Sequence, residues 1–197
     1  MTENTPELRT KRLILRRFTA GDTEAFFRFM DDEEVNRFLP LVPFSSQIEA
    51  GQYLQERYID SYRNFTGYRY AICLKEDNVP VGYVNASDGE SRDFGYALGQ
   101  GMWGRGIATE ASEAVVEQMR RDGIPFITAT HDVNNPRSGA VMKRLGMTYR
   151  YSYEEMWKPK NFLVTFRMYQ LDLDGRKHPT YSRYREMYPM NFVEESV

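Results

Sequence analysis

The stretch QGMWGRGIATEA, Gln100–Ala111, constrains the fold more than any other. Gly101, Gly104 and Gly106 crowd together, and a helical pattern follows at once, with apolar residues at 107, 111, 114, 115 and 119 on one face. The segment before it, RDFGYALGQ, reads as a strand. Glycine is costly in ordered structure unless the chain must bend sharply or something must come close. A strand, a glycine loop and a helix start present unpaired N–H groups and the positive end of a dipole. That is an anion cradle, and Arg105 adds a cation to it. A nucleotide P-loop needs Gly-Lys-Ser/Thr here, but the residues are Gly106, Ile107 and Ala108. A dinucleotide fingerprint needs a third glycine where Thr109 stands. A tight turn without ligand is the remaining alternative.

The other elements follow from spacing. RLILRRF is a strand with Leu13 and Leu15 facing one way and Arg12, Ile14 and Arg16 the other. Asp22 is the expected cap of a helix carrying Phe26, Phe29 and Met30. Ser45 or Ser46 caps a second helix expected over 46–64. YRYAICLKEDNVPVGYVNAS reads as a hairpin, and DGIPFITATHD as a turn and strand. In NNPRSGAVMKRLGM, Asn135 is an N-cap, Pro136 takes the first helical position and Gly146 is the stop. Two strands around the turn KPKN close the domain. The order β-α-α-β-β-β-α-β-α-β-β predicts an α/β (α+β) fold around a mixed sheet rather than a regular alternation. The expected division is a domain over 8–174 and an extension over 175–197. The extension puts Tyr181, Tyr184 and Tyr188 on one helical face. It either packs back on the domain, makes a subunit contact or covers a ligand cleft.

Composition narrows the function classes. Lys and Arg number 26 against 28 Asp and Glu, which argues against a dedicated nucleic-acid binder. No run of about 18 apolar residues spans a membrane, and MTENTPELRTKR has no apolar signal-peptide core. The lone Cys73 allows no internal disulfide and reads as a small buried hydrophobe. A reducing, cytoplasmic location is expected. The histidines, His131 and His178, are too few and too far apart to suggest a metal site.

GMWGRG followed by IATEA resembles the acyl-CoA loop of the GNAT superfamily of N-acetyltransferases, whose pattern is Gln/Arg-x-x-Gly-x-Gly/Ala. Gly104 and Gly106 match its glycines, while Gly101 stands where Gln or Arg is usual. TKRLILRRFTAGDTEAFF, DEEVNRFLP and NNPRSGAVMKRLGM resemble, in order, segments of the branch containing ribosomal-protein N-terminal acetyltransferases. The resemblance covers about residues 8–173. It implies a central splayed mixed sheet flanked by helices, with acetyl-CoA as donor and no metal. The strands around 92–99 and 125–131 would part so that the pantetheine arm pairs with backbone near Ala97 and Leu98. The pyrophosphate would lie over Met102, Trp103, Gly104, Arg105, Gly106, Ile107 and Ala108, with Thr109, Asn135 and Ser138 also at the cofactor.

Acetyl transfer to an amine needs a neutral amine, donors for the carbonyl oxygen and a proton for the departing thiolate. A backbone N–H at a strand bulge, Leu98, is the expected oxygen donor. Many superfamily members place a Tyr where this chain has Met142, which cannot donate. Ser138 matches the serine proposed as donor in the resembled branch, and its acidic partner falls at Glu154 or Glu155, of which Glu155 is the choice. Only one of these neighbours can face the cleft; Asp93 is a further candidate base. The acceptor is expected to be a primary amine, either a protein or peptide N-terminus or a small amine such as a polyamine or amino-sugar antibiotic. A non-catalytic acyl-CoA-binding module is the non-enzymatic alternative. A monomer or homodimer without nucleic-acid or membrane partners is expected.

Overall fold

The computed structural model describes residues 5–63 and 67–197. Strands β1 (Leu8–Arg9), β2 (Leu13–Arg16), β3 (Tyr68–Leu74), β4 (Pro80–Ala86) and β5 (Phe94–Leu98) form one sheet in that order. A second sheet has the order β6-β8-β7-β9, from β6 (Phe126–Asp132), β7 (Thr148–Trp157), β8 (Phe162–Asp172) and β9 (Asn191–Phe192). All the named pairings are antiparallel. The parallel component is a bridge between Asp93 and Thr128, where β5 meets β6.

Period-two alternation sorts the side chains into layers. Leu13, Leu15, Tyr70, Ile72, Val84 and Phe94 join a core with α4 (Ile107–Arg121) and α5 (Pro136–Arg144). That core also takes Ile127, Ala129 and Tyr169 from the second sheet, so the two helices cover one face of both sheets. Ile14, Ala71 and Cys73 point the other way, against α1 (Thr23–Met30) and α3 (Gln47–Leu54). Cys73 is fully buried there, and burial pushes its thiol up to about 12, so it is a core residue and no nucleophile.

Two expectations about the first helices change. Asp22 does not cap α1. Its carboxylate accepts from the Thr19 N–H at 2.7 Å and pairs with Arg16 at 2.8 Å, closing the short turn Ala20–Asp22. Burial alone would raise its pKa, but the Arg16 and Thr19 bonds prevail and hold it below the ordinary carboxylate value. The second helix is α-helical only to Leu54, capped by Ser46. It widens into a π segment, Gln55–Ile59, and tightens into a 3-10 turn, Asp60–Arg63. Its expected end at position 64 lies outside the described residues. The widened turn carries Tyr58 inward, where its hydroxyl accepts from Asn85 Nδ2 at 3.0 Å.

The end of the chain covers the face of the second sheet opposite α5. Only α6 (Arg183–Met187) is helical; Tyr181 precedes it and Tyr188 ends it. The three tyrosines pack on Tyr151, Tyr153, Phe166 and Met168. Tyr153 stacks on Tyr184 and Tyr188 at centroid distances of 5.1 and 5.0 Å. The Gln170 amide accepts from Tyr181 N–H at 2.9 Å and donates to the Pro179 carbonyl at 3.1 Å. Arg167 pairs with Glu194, and β9 adds a strand the sequence pattern did not announce.

Deleting residues 176–197 uncovers this aromatic face and removes the Pro179 and Tyr181 partners of Gln170 and the Glu194 partner of Arg167. The melting temperature should fall by on the order of 5–10 °C, since each kcal/mol shifts a chain of this size by about 2–4 °C. A thermal melt that matches the full chain overturns this account of the segment.

Candidate functional site

The site begins where β5 and β6 part. β5 runs in unbroken register along β4, from Gly82 opposite Leu98 to Ala86 opposite Phe94, so the bulge expected at Leu98 is absent. Gly99 N–H donates to the Val81 carbonyl at 2.9 Å, and the Asp93 carbonyl accepts from Ser87 N–H at 2.9 Å. Backbone direction alternates along a strand. The odd residues, Ala97 among them, therefore bond β4, and Tyr96 and Leu98 turn their backbone groups toward β6. The chain segments meet at the isolated Asp93–Thr128 bridge; beyond it β5 and β6 belong to different sheets. The Leu98 amide faces this gap by strand parity. Ala97 lines the gap without lending it backbone groups.

The glycine loop closes the upper end. Its lower half is a 3-10 turn, Gln100–Met102. Gly104 and Gly106 hold φ of 71° and 73°, a left-handed conformation that L side chains adopt at a cost. A Cβ at Gly104 would meet nothing, so the space above it is open. Gly101 has no such constraint. Met102 and Trp103 turn toward the core, and the Trp103 indole donates to the Leu98 carbonyl at 2.8 Å. The Ile107 side chain is buried, leaving its N–H, with those of Ala108 and Thr109, at the free start of α4. Arg105 is exposed beside this start. Glu110, an acid that would oppose an anion here, is bound by Arg12 at 2.6 Å and by Thr10 Oγ at 2.6 Å. Arg12 also donates to the Arg105 carbonyl at 2.8 Å. The loop is thus braced from β2's end, and its open side carries amides and cations.

Across the gap stands the start of α5. Asn135 caps it, accepting from Ser138 N–H, and its amide donates to Ser138 Oγ at 3.0 Å. The Ser138 hydroxyl hydrogen stays free to donate elsewhere. The Tyr96 hydroxyl donates to the Ser138 carbonyl at 2.7 Å, tying β5 to α5 over the gap. Arg137 sits over the Trp103 ring at 5.3 Å. Leu98, Ser138, Asn135 and the loop are therefore gathered in one place. Glu155 is not gathered with them. It lies against Tyr188 on the opposite face of the sheet, where burial and this carboxylate push the Tyr188 hydroxyl up to about 12. Glu154 points to the other face and gives its N–H to the Met190 carbonyl at 2.9 Å. Tyr96 was missed from the sequence because an alternating strand tyrosine carries no signal of a partner 42 residues away.

Comparisons with known proteins agree with this fold. Residues 12–148 match the family described as acetyltransferase (GNAT) domain. The chain is similar to the uncharacterized N-acetyltransferase p20 of Bacillus licheniformis, with 28% identity over 117 residues, covering 56% of this chain and 64% of that protein. A GNAT-family acetyltransferase from Bacillus anthracis superimposes with a TM-score of 0.74 at 18% identity, over 86% of this chain and 99% of the other. RimL, a ribosomal L7/L12 alpha-N-protein acetyltransferase solved with coenzyme A, gives 0.74 at 20% identity, over 87% of this chain and 100% of the other. Divergent strands, a left-handed glycine loop and a family match over most of the chain lead to one conclusion: the chain belongs to the GNAT acetyltransferase family.

Proposed function

We propose that the chain transfers an acetyl group from acetyl-CoA to a primary amine, and that the acceptor is the α-amine of a peptide or protein. The transfer reading is supported by the gap beside β5 under an open anion cradle: strand parity turns the Leu98 amide toward it, and Tyr96 ties the start of α5, which carries Ser138, to the same strand. The residues fit the donor. The Gly104 recess admits a phosphate to the amides of α4, which a side chain there would obstruct. Tyr96 and Leu98 offer a strand edge to an amide-bearing arm. Acetyl-CoA supplies an activated thioester. Around it, the Leu98 N–H stabilises charge that develops on the carbonyl oxygen. Ser138, oriented by Asn135, gives its proton to the departing sulfur. The acceptor reading is supported by the likeness to RimL, whose name describes alpha-N-protein acetylation.

Thiol release from acetyl-CoA, measured with peptides and small amines, tests the reading; no acceleration by any amine leaves a binding module instead. Gly104→Val should weaken acetyl-CoA binding at least tenfold, about 1.4 kcal/mol, by strain and by loss of the open space. Calorimetry on the folded variant giving unchanged affinity refutes the cradle. Ser138→Ala should lower turnover about 10²-fold or more at saturating substrates. Wild-type turnover in that variant reduces Ser138 to a structural hydroxyl.

A further inference from the structure

The glycine loop holds one peptide unit whose direction its own residues leave open. Gly106 has φ 73° and ψ 9°, the conformation of the third residue of a type II turn. A type I turn joins the same ends with its middle peptide reversed and needs φ of about −90° at that residue. Glycine takes either sign of φ with similar ease. The middle peptide here links Arg105 to Gly106. It is trans, so its C=O and N–H point in opposite directions. Whichever side of the loop receives the carbonyl, the other receives the amide.

Arg12, just before β2, sets that direction. Its Nη1 donates to the Arg105 carbonyl at 2.8 Å, which turns the carbonyl toward β2 and the Gly106 N–H away from it. Its Nη2 lies 3.6 Å from the point a Gly106 Cβ would occupy, so the guanidinium lies along the loop. The guanidinium is itself held. Glu110, in the first turn of α4, accepts from Arg12 Nε at 2.6 Å, from the Arg12 backbone N–H at 2.8 Å and from the Thr10 hydroxyl at 2.6 Å. Burial alone would raise the Glu110 pKa, but the Thr10 and Arg12 bonds prevail and hold it below the ordinary carboxylate value. A charged acid at this helix start works against an anionic ligand by charge alone. What it contributes is the position of Arg12.

We propose that Arg12 and Glu110 form a latch that keeps the Arg105–Gly106 peptide with its amide available to phosphate, which makes Glu110 a positioning residue for acetyl-CoA. This rests on the acetyl-CoA reading of the cradle. A peptide free to reverse would present its carbonyl to the phosphate for part of the time, and apparent affinity falls with the competent fraction. Charge and position therefore predict opposite signs at Glu110, and calorimetric titration of the intact chain with acetyl-CoA separates them. Glu110→Gln should weaken binding about tenfold although it removes a negative charge, because the amide turns an NH2 toward Arg12 Nε. Glu113→Gln, at an exposed acid one turn further along α4, should leave affinity unchanged or raise it. Arg12→Ala should weaken binding about tenfold or more. Arg12→Lys keeps the charge without the two spaced donors and should recover little. Glu110→Gln added to Arg12→Ala should cost nothing further, since one partner of the latch is already gone. In turnover the loss should fall on KM for acetyl-CoA, with kcat at saturating donor retained, which a general loss of stability would not produce. If Glu110→Gln does not fold, the comparison of Arg12→Lys with Arg12→Ala decides. Affinity in Glu110→Gln equal to or tighter than wild type, full recovery in Arg12→Lys, or additive losses in the double variant overturns the latch and leaves the donor reading standing. A wild-type chain that binds no acetyl-CoA refutes the donor reading and the latch with it.

Discussion

Backbone hydrogen bonding is the constraint on which the molecule turns. A strand in the middle of a structure must pair on both sides or leave groups that need another partner. β5 pairs fully with β4 and meets β6 only at the Asp93–Thr128 bridge. Its even-numbered amides are thereby committed to the gap. The surrounding contacts keep the strands from closing on each other. Tyr96 props α5 from below through the Ser138 carbonyl, and Trp103 occupies the Leu98 carbonyl from above. What remains for a ligand is a short stretch of edge between two fixed ends.

Much of this was legible in the sequence, and the parts that were not share a cause. The helix read from apolar spacing after Gly106 is the α4 observed, Ile107–Arg121. Asn135 and Pro136 start α5 as their chemistry predicts, and Gly146 leaves it at φ 82°. These are local effects of a few neighbouring residues. The π segment is also local, but the sequence of Gln55–Ile59 has ordinary helical composition, and it is the packing of Tyr58 on Phe18 and Asn85 that accompanies the wider turn. Arg69 reads as the polar half of an alternating strand; that its Nε is buried depends on a layer packed over it. The separation of Glu155 from Ser138 depends on which face each element presents, a matter of register at β7, whose pairing slips between Tyr149 and Tyr151.

Charge is arranged in the same local manner. The chain is nearly neutral, with a net charge of -2, and its strong ion pairs are joints between elements. Arg12 with Glu110 joins β2 to the start of α4, and Arg16 with Asp22 joins the other end of β2 to the turn before α1. Arg16 and Asp22 are partly or fully buried, Arg12 is exposed against a half-buried Glu110, and both pairs are reinforced by backbone or hydroxyl donors, so they set geometry where an isolated exposed pair would contribute little. β2 thus fixes the glycine loop at one end and the turn before α1 at the other.

The second sheet treats its two edges in opposite ways. Along β6 the edge is held open. Along β7 it is met by β9, through Ser152 opposite Phe192 and Tyr153 opposite Asn191. Exposed strand edges are templates for pairing between copies of a chain, and proteins guard them with short or covered strands. Here the guard is the chain's own last strand, two residues long, too brief to template a further ladder. The consequence is a form of protection against self-association: backbone pairing is withheld from neighbouring copies at one edge while it stays available at the other.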